Sequence, residues 1–574
     1  MIKTGAEIFV ESLLKENVEV VFGMPGGALL PIFDKIHGSK LKFVLTRHEQ
    51  GASHMADGFA RSTGKVGVCL ATSGPGATNI VTGLATAYMD SVPVVAFTGQ
   101  VATTLIGNDA FQEADITGIT RPVTKHNFLV KDVKELTTII RQAFYIAKSG
   151  RPGPVLVDIP VDVQRASCEF IWKDLVHITS YQPKFNGHPG QIKKAVDAIN
   201  KSKSPVLYIG GGVISSGAED EIEVLSKKTD IPVTSTLLSI GAFHGQEKLN
   251  LGMLGMHGTY WANKAVQNSD LIICVGARFD DRCTGKVCGF APNASIIHID
   301  IDPTSISKIV KVDIPVVGDA KSILTEIIKT VNSKENKKWL AQIAAWKKEV
   351  PLTYDGTKGL KPQFILEKIS EITKGEAIIS TEVGQHQMWA AQYYKTTKPR
   401  HFITSGGLGT MGFGFPAGIG AKIGNPDKDV IVIAGDGSFQ MNIQELTTAS
   451  LYGVDIKIFV LNNQFLGMVR QWQEMFYGKR YSNTCLRKTK NCPALCNTPS
   501  DKCPVYVPDF VKLVEAYGGT AKRVTKAKDV ESAIKTALAH KGFYLIDFMT
   551  DIEENVLPMV PTGANLDEII TRLA

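Results

Sequence analysis

Val430-Ile431-Val432-Ile433-Ala434-Gly435-Asp436-Gly437 and, after residues 438–455, Ile456-Lys457-Ile458-Phe459-Val460-Leu461-Asn462-Asn463 are the two stretches on which the fold turns. Each is a run of apolar, largely β-branched residues ending in a polar turn, and Gln444 to Tyr452 between them has helical character. Strand, helix, strand makes a right-handed crossover that lays the carboxyl ends of two parallel strands side by side, where open α/β sheets bind ligands. Asp436 and Asn463 then offer side-chain oxygens to one hard cation, with the Phe465 backbone carbonyl as a third protein ligand. Magnesium needs six oxygens, and phosphate oxygens and water supply the rest. Gly437 lets backbone approach a diphosphate, and Ser438 stands ready to donate to it where the next helix starts. Either motif alone is an ordinary turn signal; both together, each at a strand end, predict a magnesium–diphosphate clamp.

Working outward, short β-branched runs alternate with helical patterns along the whole chain. Val18–Phe22, Phe43–Thr46, Val66–Ala71, Val92–Thr98 and Val155–Ile159 predict a doubly wound parallel sheet over 1–165. Residues 166–188 read as a linker. A second block, 189–332, has strands at Val206–Ile209, Leu271–Val275, Ile296–Ile301 and Val316–Val317. Lys- and Glu-rich sequence over 333–360 reads as a solvated helix and connector, and the third block, 361–574, holds the clamp. The fold class is α/β with three doubly wound parallel-sheet domains, alike only in pattern, with no short-period repeat.

The 574 residues exceed one hydrophobic core. A net charge of +7 with no basic block argues against nucleic acid, and anionic small ligands account for it. No apolar run reaches a membrane span, and the start leads into an amphipathic helix, Ile8 to Leu14, without a leader pattern. The expected location is cytoplasmic. Nine cysteines, an odd number, fit no secreted disulfide framework, and Cys69 and Cys274 fall in strand-like runs as core residues.

The paired GDG and NN turns resemble the cofactor motif of thiamine-diphosphate enzymes. Nearly the whole chain resembles the catalytic subunits of acetohydroxyacid synthase, also called acetolactate synthase. The resemblance is carried by Gly23-Met24-Pro25-Gly26-Gly27-Ala28, Thr72-Ser73-Gly74-Pro75-Gly76-Ala77-Thr78-Asn79, Asp109 to Asp115, Ser149 to Pro154, Gly276-Ala277-Arg278-Phe279-Asp280-Asp281-Arg282 and Gly467-Met468-Val469-Arg470-Gln471-Trp472. It implies a transferase of branched-chain (isoleucine and valine) biosynthesis. Such an enzyme decarboxylates pyruvate and passes the two-carbon unit to a second pyruvate or to 2-ketobutyrate. The three blocks become a pyrimidine-binding, an FAD-binding and a diphosphate- and Mg2+-binding domain, with FAD structural.

Residue by residue, the resemblance assigns Glu49, in Thr46-Arg47-His48-Glu49-Gln50, to the aminopyrimidine of thiamine diphosphate, where a carboxylic acid promotes loss of the thiazolium C2 proton. Read alone, a carboxylate at a helix start favoured by the macrodipole fits the segment equally well. Gln112 joins the catalytic set, Gln385 and His386 contact the diphosphate, and Met411 and Met468 brace the cofactor. Arg151, Met256, His257, Arg278, Asp300 and Asp319 match the flavin segments. Gly210-Gly211-Gly212 alone is a weak dinucleotide signal. Arg282, held by Asp281, matches the residue that grips the acceptor carboxylate, and Trp472 with Met256 shapes the acceptor pocket. Because the family places its glutamate and its metal clamp on different subunits, a homodimer or homotetramer follows, and a small regulatory subunit is the expected partner.

Two features depart from the family pattern. Val161 stands where many relatives have lysine, and after Arg480-Tyr481-Ser482 an insertion carries Cys485, Cys492, Cys496 and Cys503. Zinc or an iron–sulfur cluster would accept four thiolates; two disulfides or four unligated thiols are the alternatives. Competing functions are another thiamine-diphosphate 2-keto-acid decarboxylase or oxidase, glyoxylate carboligase, which lacks the equivalent of Glu49, and a catalytically silent flavin-nucleotide scaffold.

Overall fold

The structure, a computed structural model, describes residues 1–572 apart from 175, 245–247, 397, 494–495 and 497–502. It contains three six-stranded parallel sheets. In the first, the strands lie in the order Lys42–Leu45, Val20–Gly23, Gly67–Ala71, Val94–Gln100, Val155–Pro160 and His126–Leu129. The third runs Phe402–Ile403, Ile378–Thr381, Val430–Gly435, Lys457–Asn462, Tyr544–Met549 and Thr520–Val524. Counted in chain order within each sheet, both read 2-1-3-4-6-5. The middle sheet differs: Asn250–Met253, Val233–Ser235, Pro205–Ile209, Leu271–Val275, Ser295–Asp300 and Ile314–Val317 give 3-2-1-4-5-6, the order of dinucleotide-binding folds. The three blocks are therefore two of one wiring and one of another.

Burial explains why the strands were legible. Val430–Gly435 and Lys457–Asn462 are buried along their whole length, as expected of parallel strands covered by helices on both faces. Cys69 and Cys274 are fully buried in strands. Two connectors take more part in the structure than their polar sequence predicts. Ser167–Glu169, in the predicted linker, pairs antiparallel with Ile2–Thr4. The helix Lys337–Glu349 is not simply solvated: it buries Trp339 and Ile343 against the middle domain, and the Trp339 indole donates to the Pro205 carbonyl at 3.1 Å.

The first and third domains share one core, in which Phe22, Met55 and Phe59 pack with Phe413, Ile419 and Val432. At its centre two helices cross, Glu49–Thr63 and Gly414–Gly424. Glycine makes the crossing: a Cβ on Gly58 would run into the Ala417 carbonyl and one on Gly420 into the Met55 carbonyl. The Glu49 helix is capped by the His48 ring, which accepts from Gln50 N–H at 3.1 Å, and ends at left-handed Gly64.

Candidate active site

Strand register builds the clamp. Gly435 sits opposite Leu461, so Asp436 and Asn463 leave adjacent strands at the same edge. Asp436 is 1% exposed, and its Oδ2 has no hydrogen-bond partner among the described residues. Burial pushes its carboxyl up to about 7, while hydrogen bonding to Tyr506 opposes the rise. A buried, unsatisfied carboxylate oxygen is costly, and a hard cation removes that cost, so the site fits magnesium. The two asparagines divide the work. Asn462 is spent on structure, donating to Asp547 Oδ1 at 2.9 Å. Asn463 stays at the edge, where it donates to Gln385 Oε1 at 3.3 Å and accepts from Phe465 N–H at 3.1 Å. His386 packs over Gly435 with its Nε2 unpartnered among the described residues, and burial drives its ring down to about 3, so it is neutral. Gly437 lies under Leu466 and Leu486. The Ser438 hydroxyl donates to the Gly435 carbonyl at 3.2 Å, within its own turn.

Glu49 lies elsewhere. It is 9% exposed; its carboxylate accepts from Asn79 Nδ2 at 3.0 Å and faces Gly76, both in the first domain. No clamp residue is among those partners. The turn that carries it is held from the third domain, because Arg47 and His48 N–H groups both donate to Glu445 at 3.0 Å. Thr448 donates to the same carboxylate at 2.6 Å. Gln112, exposed and at φ +58°, backs onto Gly74.

A cavity of about 790 Å³ separates the three domains. From the middle domain come the turns at Gly210-Gly211-Gly212 and Gly276-Ala277-Arg278, which follow the first and fourth strands and flank the point where strand order reverses. They touch: a Cβ on Gly212 would lie 2.6 Å from Gly276 Cα. Arg278 donates to the Met89 carbonyl at 2.6 Å and Arg151 to Ser91 Oγ at 2.8 Å. His257 is buried and held neutral, its pKa lowered to about 4, and its Nδ1 has no partner among the described residues. Asp300 and Met256 also line the space. Asp319 lines it too, but its carboxylate already caps a helix, accepting from Ser322 N–H at 3.0 Å. This donor set at a 3-2-1-4-5-6 switch point fits a flavin dinucleotide. From the third domain, Met411 and two residues one turn apart on the helix Gly467–Phe476, Met468 and Trp472, form the opposite wall. Arg282 reaches the cavity edge, paired with Asp281 at 3.2 Å with both side chains exposed.

The four cysteines of the insertion are partly buried, and no group of three or more His, Cys, Asp or Glu poised for a metal occurs among the described residues. The clamp, with a single carboxylate beside amide and carbonyl oxygens, is a different kind of site. Residues 494–495 and 497–502 between the cysteines lie outside the described set. No helix among the described residues is long and apolar enough to cross a membrane.

Supporting residues went unread in the sequence. Glu445, Glu382 and Arg470 are buried titratable groups, each with a partner far along the chain. Arg470, 2% exposed, lies between the Phe465 and Tyr481 rings and pairs with Glu474 and Glu553, fixing the Trp472 helix. The i,i+4 spacing of Arg470 and Glu474 is the local signal that could have found it.

The sequence matches three family models in chain order: the N-terminal TPP binding domain of thiamine pyrophosphate enzymes over residues 3–119, their central domain over 192–327, and their C-terminal TPP binding domain over 382–548. With the fold and the clamp, these define a thiamine-diphosphate enzyme. It is 47% identical to the acetolactate synthase large subunit of Haemophilus influenzae over 578 residues, covering 99% of this chain and 98% of the relative. Identity is 49% to the large subunit of Corynebacterium glutamicum, over 99% and 90% of the two chains, and 46% to the isozyme 3 large subunit of Escherichia coli, over 99% and 98%. The chain belongs to the acetolactate synthase large-subunit family.

Proposed function

We propose that this chain is an acetolactate synthase. It decarboxylates pyruvate and joins the two-carbon unit to a second pyruvate, giving 2-acetolactate, or to 2-ketobutyrate, giving 2-aceto-2-hydroxybutyrate, in valine and isoleucine formation. End-to-end similarity to large subunits of that enzyme carries the reading. Bound thiamine diphosphate supplies the carbon nucleophile and the electron sink for decarboxylation. Asp436 and Asn463 side chains and the Phe465 carbonyl would hold Mg2+, and Gln385, His386, Gly437 and Ser438 would surround the diphosphate. Glu49 would hydrogen-bond the aminopyrimidine and supply the carboxylic acid that promotes activation of the cofactor. Met411 and Met468 support the cofactor from the cavity side. Arg282 binds the acceptor carboxylate, and Trp472 and Met256 give its alkyl group an apolar wall. Gln112 approaches the reacting atoms from a partner subunit.

Arg151, Met256, His257, Arg278, Asp300 and Asp319 would hold FAD in the central cavity, where the arginines supply positive charge for a pyrophosphate and the group would serve a structural role. Glu49 and the clamp do not share partners within one chain. This supports a homodimer or homotetramer in which each centre takes its glutamate from a neighbour. A small regulatory subunit and a cytoplasmic location complete the reading. The test is a steady-state assay of purified protein with pyruvate, with and without 2-ketobutyrate. Both acetohydroxy acids should form without an added electron acceptor; acetate or peroxide as the main product overturns the reading.

A further inference from the structure

The insertion that departs from the family pattern has its two ends on the two halves of the clamp. At the first end, Cys485 bridges Phe465 antiparallel, flanked by Leu466 N–H to the Thr484 carbonyl at 2.9 Å and Leu486 N–H to the Gln464 carbonyl at 3.0 Å. In such a pair the peptide groups of Phe465 turn away from the insertion, and its N–H reaches Asn463. The Leu486 side chain meanwhile lies over Gly437, beside Asp436.

At the other end, Tyr506 packs on Phe510 with ring centres 6.0 Å apart, and its hydroxyl is brought beside Asp436 by the Gln440 side chain, which donates to both residues. Gln440 orients that hydroxyl. Its Nε2 donates to the Asp436 carbonyl at 2.9 Å and to the Tyr506 oxygen at 3.3 Å, so the phenolic proton is left for the carboxylate. Arg487 ties the ends together, donating to Gln464 Oε1 at 2.9 Å, the Pro504 carbonyl at 2.7 Å and the Cys503 carbonyl at 3.2 Å.

We propose that residues 484–487 and 503–506 form a clasp over the cation clamp, in which Tyr506 is the positioning residue for Asp436 and Arg487 locks the clasp shut. The inference rests on reading Asp436 and Asn463 as the magnesium site. Partners that orient a metal ligand commonly change affinity by about 10- to 100-fold when removed.

The test titrates Mn2+ into the full-length protein with thiamine diphosphate present, following free Mn2+ by electron paramagnetic resonance. Tyr506→Phe keeps the ring on Phe510 and removes only the hydroxyl; Arg487→Met keeps the bulk and removes the lock. Both should weaken Mn2+ binding about tenfold, with the melting temperature of the metal-free protein unchanged. Turnover should return near the parent value at saturating Mg2+, with the half-saturating Mg2+ concentration raised by a similar factor. Asp436→Ala separates the layers of the argument. If it binds Mn2+ as the parent does, the clamp reading falls and the clasp with it. If Asp436→Ala loses Mn2+ while Tyr506→Phe and Arg487→Met bind it like the parent, the clasp alone is overturned. A fall in kcat at an unchanged Mg2+ requirement overturns it too.

Discussion

Glu382 is a fully buried carboxyl at the start of the helix Gly414–Gly424, accepting from Gly412 N–H at 2.7 Å and Phe415 N–H at 3.0 Å. Burial pushes it from an ordinary 4.5 up to about 8, against the pull of those donors. Its folded pKa lies above its unfolded one, so the stability it contributes is full below about 4.5 and is lost as pH rises through about 8. Glu382→Gln should flatten the fall in stability across that window, by up to about 1.4 kcal/mol per pH unit. Urea denaturation of both proteins at several pH values reads the difference, and parallel curves would remove Glu382 as its source. At this scale the sequence was partly legible. Asp436 and Asn463 could be found because each ends an apolar run. Glu382 and Glu445 could not: the Glu382 donors lie 30 or more residues away, and Glu445, besides its neighbour Thr448, reaches across nearly 400 residues to Arg47, a separation that no local spacing encodes.

Among elements, long buried strands announced themselves and short ones did not. Val233–Ser235, Asn250–Met253 and His126–Leu129 have three or four residues each and mix polar with apolar side chains. They are strands because a neighbour supplies hydrogen bonds, a tertiary cause. The same holds for the crossing of Glu49–Thr63 with Gly414–Gly424, whose closeness depends on glycines that would otherwise weaken both helices. Gly58→Ala should force the pair apart, at a cost of about 1–3 kcal/mol, and displace the turn bearing Glu49. Gly27→Ala, where an added methyl meets nothing within 4 Å, is the matched control. Denaturation midpoints for the two variants should separate clearly; equal midpoints would mean the crossing relaxes freely.

At the scale of the whole molecule, catalysis by this chain requires a second copy if each centre draws Glu49 from one subunit and the clamp from another. Glu49→Ala and Asp436→Ala should each be nearly inactive alone. Co-expressed, they form mixed dimers in which one centre has both groups intact and the other neither. Those mixed dimers, isolated by two affinity tags, should recover about half the parent turnover by transition-state accounting of independent sites. No recovery would mean that each chain completes its own centre.

The matching strand order of the first and third sheets gives this chain two copies of a single address. In both, the turn after the third strand opens at the same edge of the sheet. In the third domain that turn is Asp436-Gly437, whose buried carboxylate is the proposed cation ligand. In the first it is Thr72-Ser73-Gly74-Pro75-Gly76, with the last glycine set against the carboxylate of Glu49. One strand order thus serves two ends: a buried carboxylate stands at the doorway of one sheet, and a bare glycine leaves room for a carboxylate at the doorway of the other.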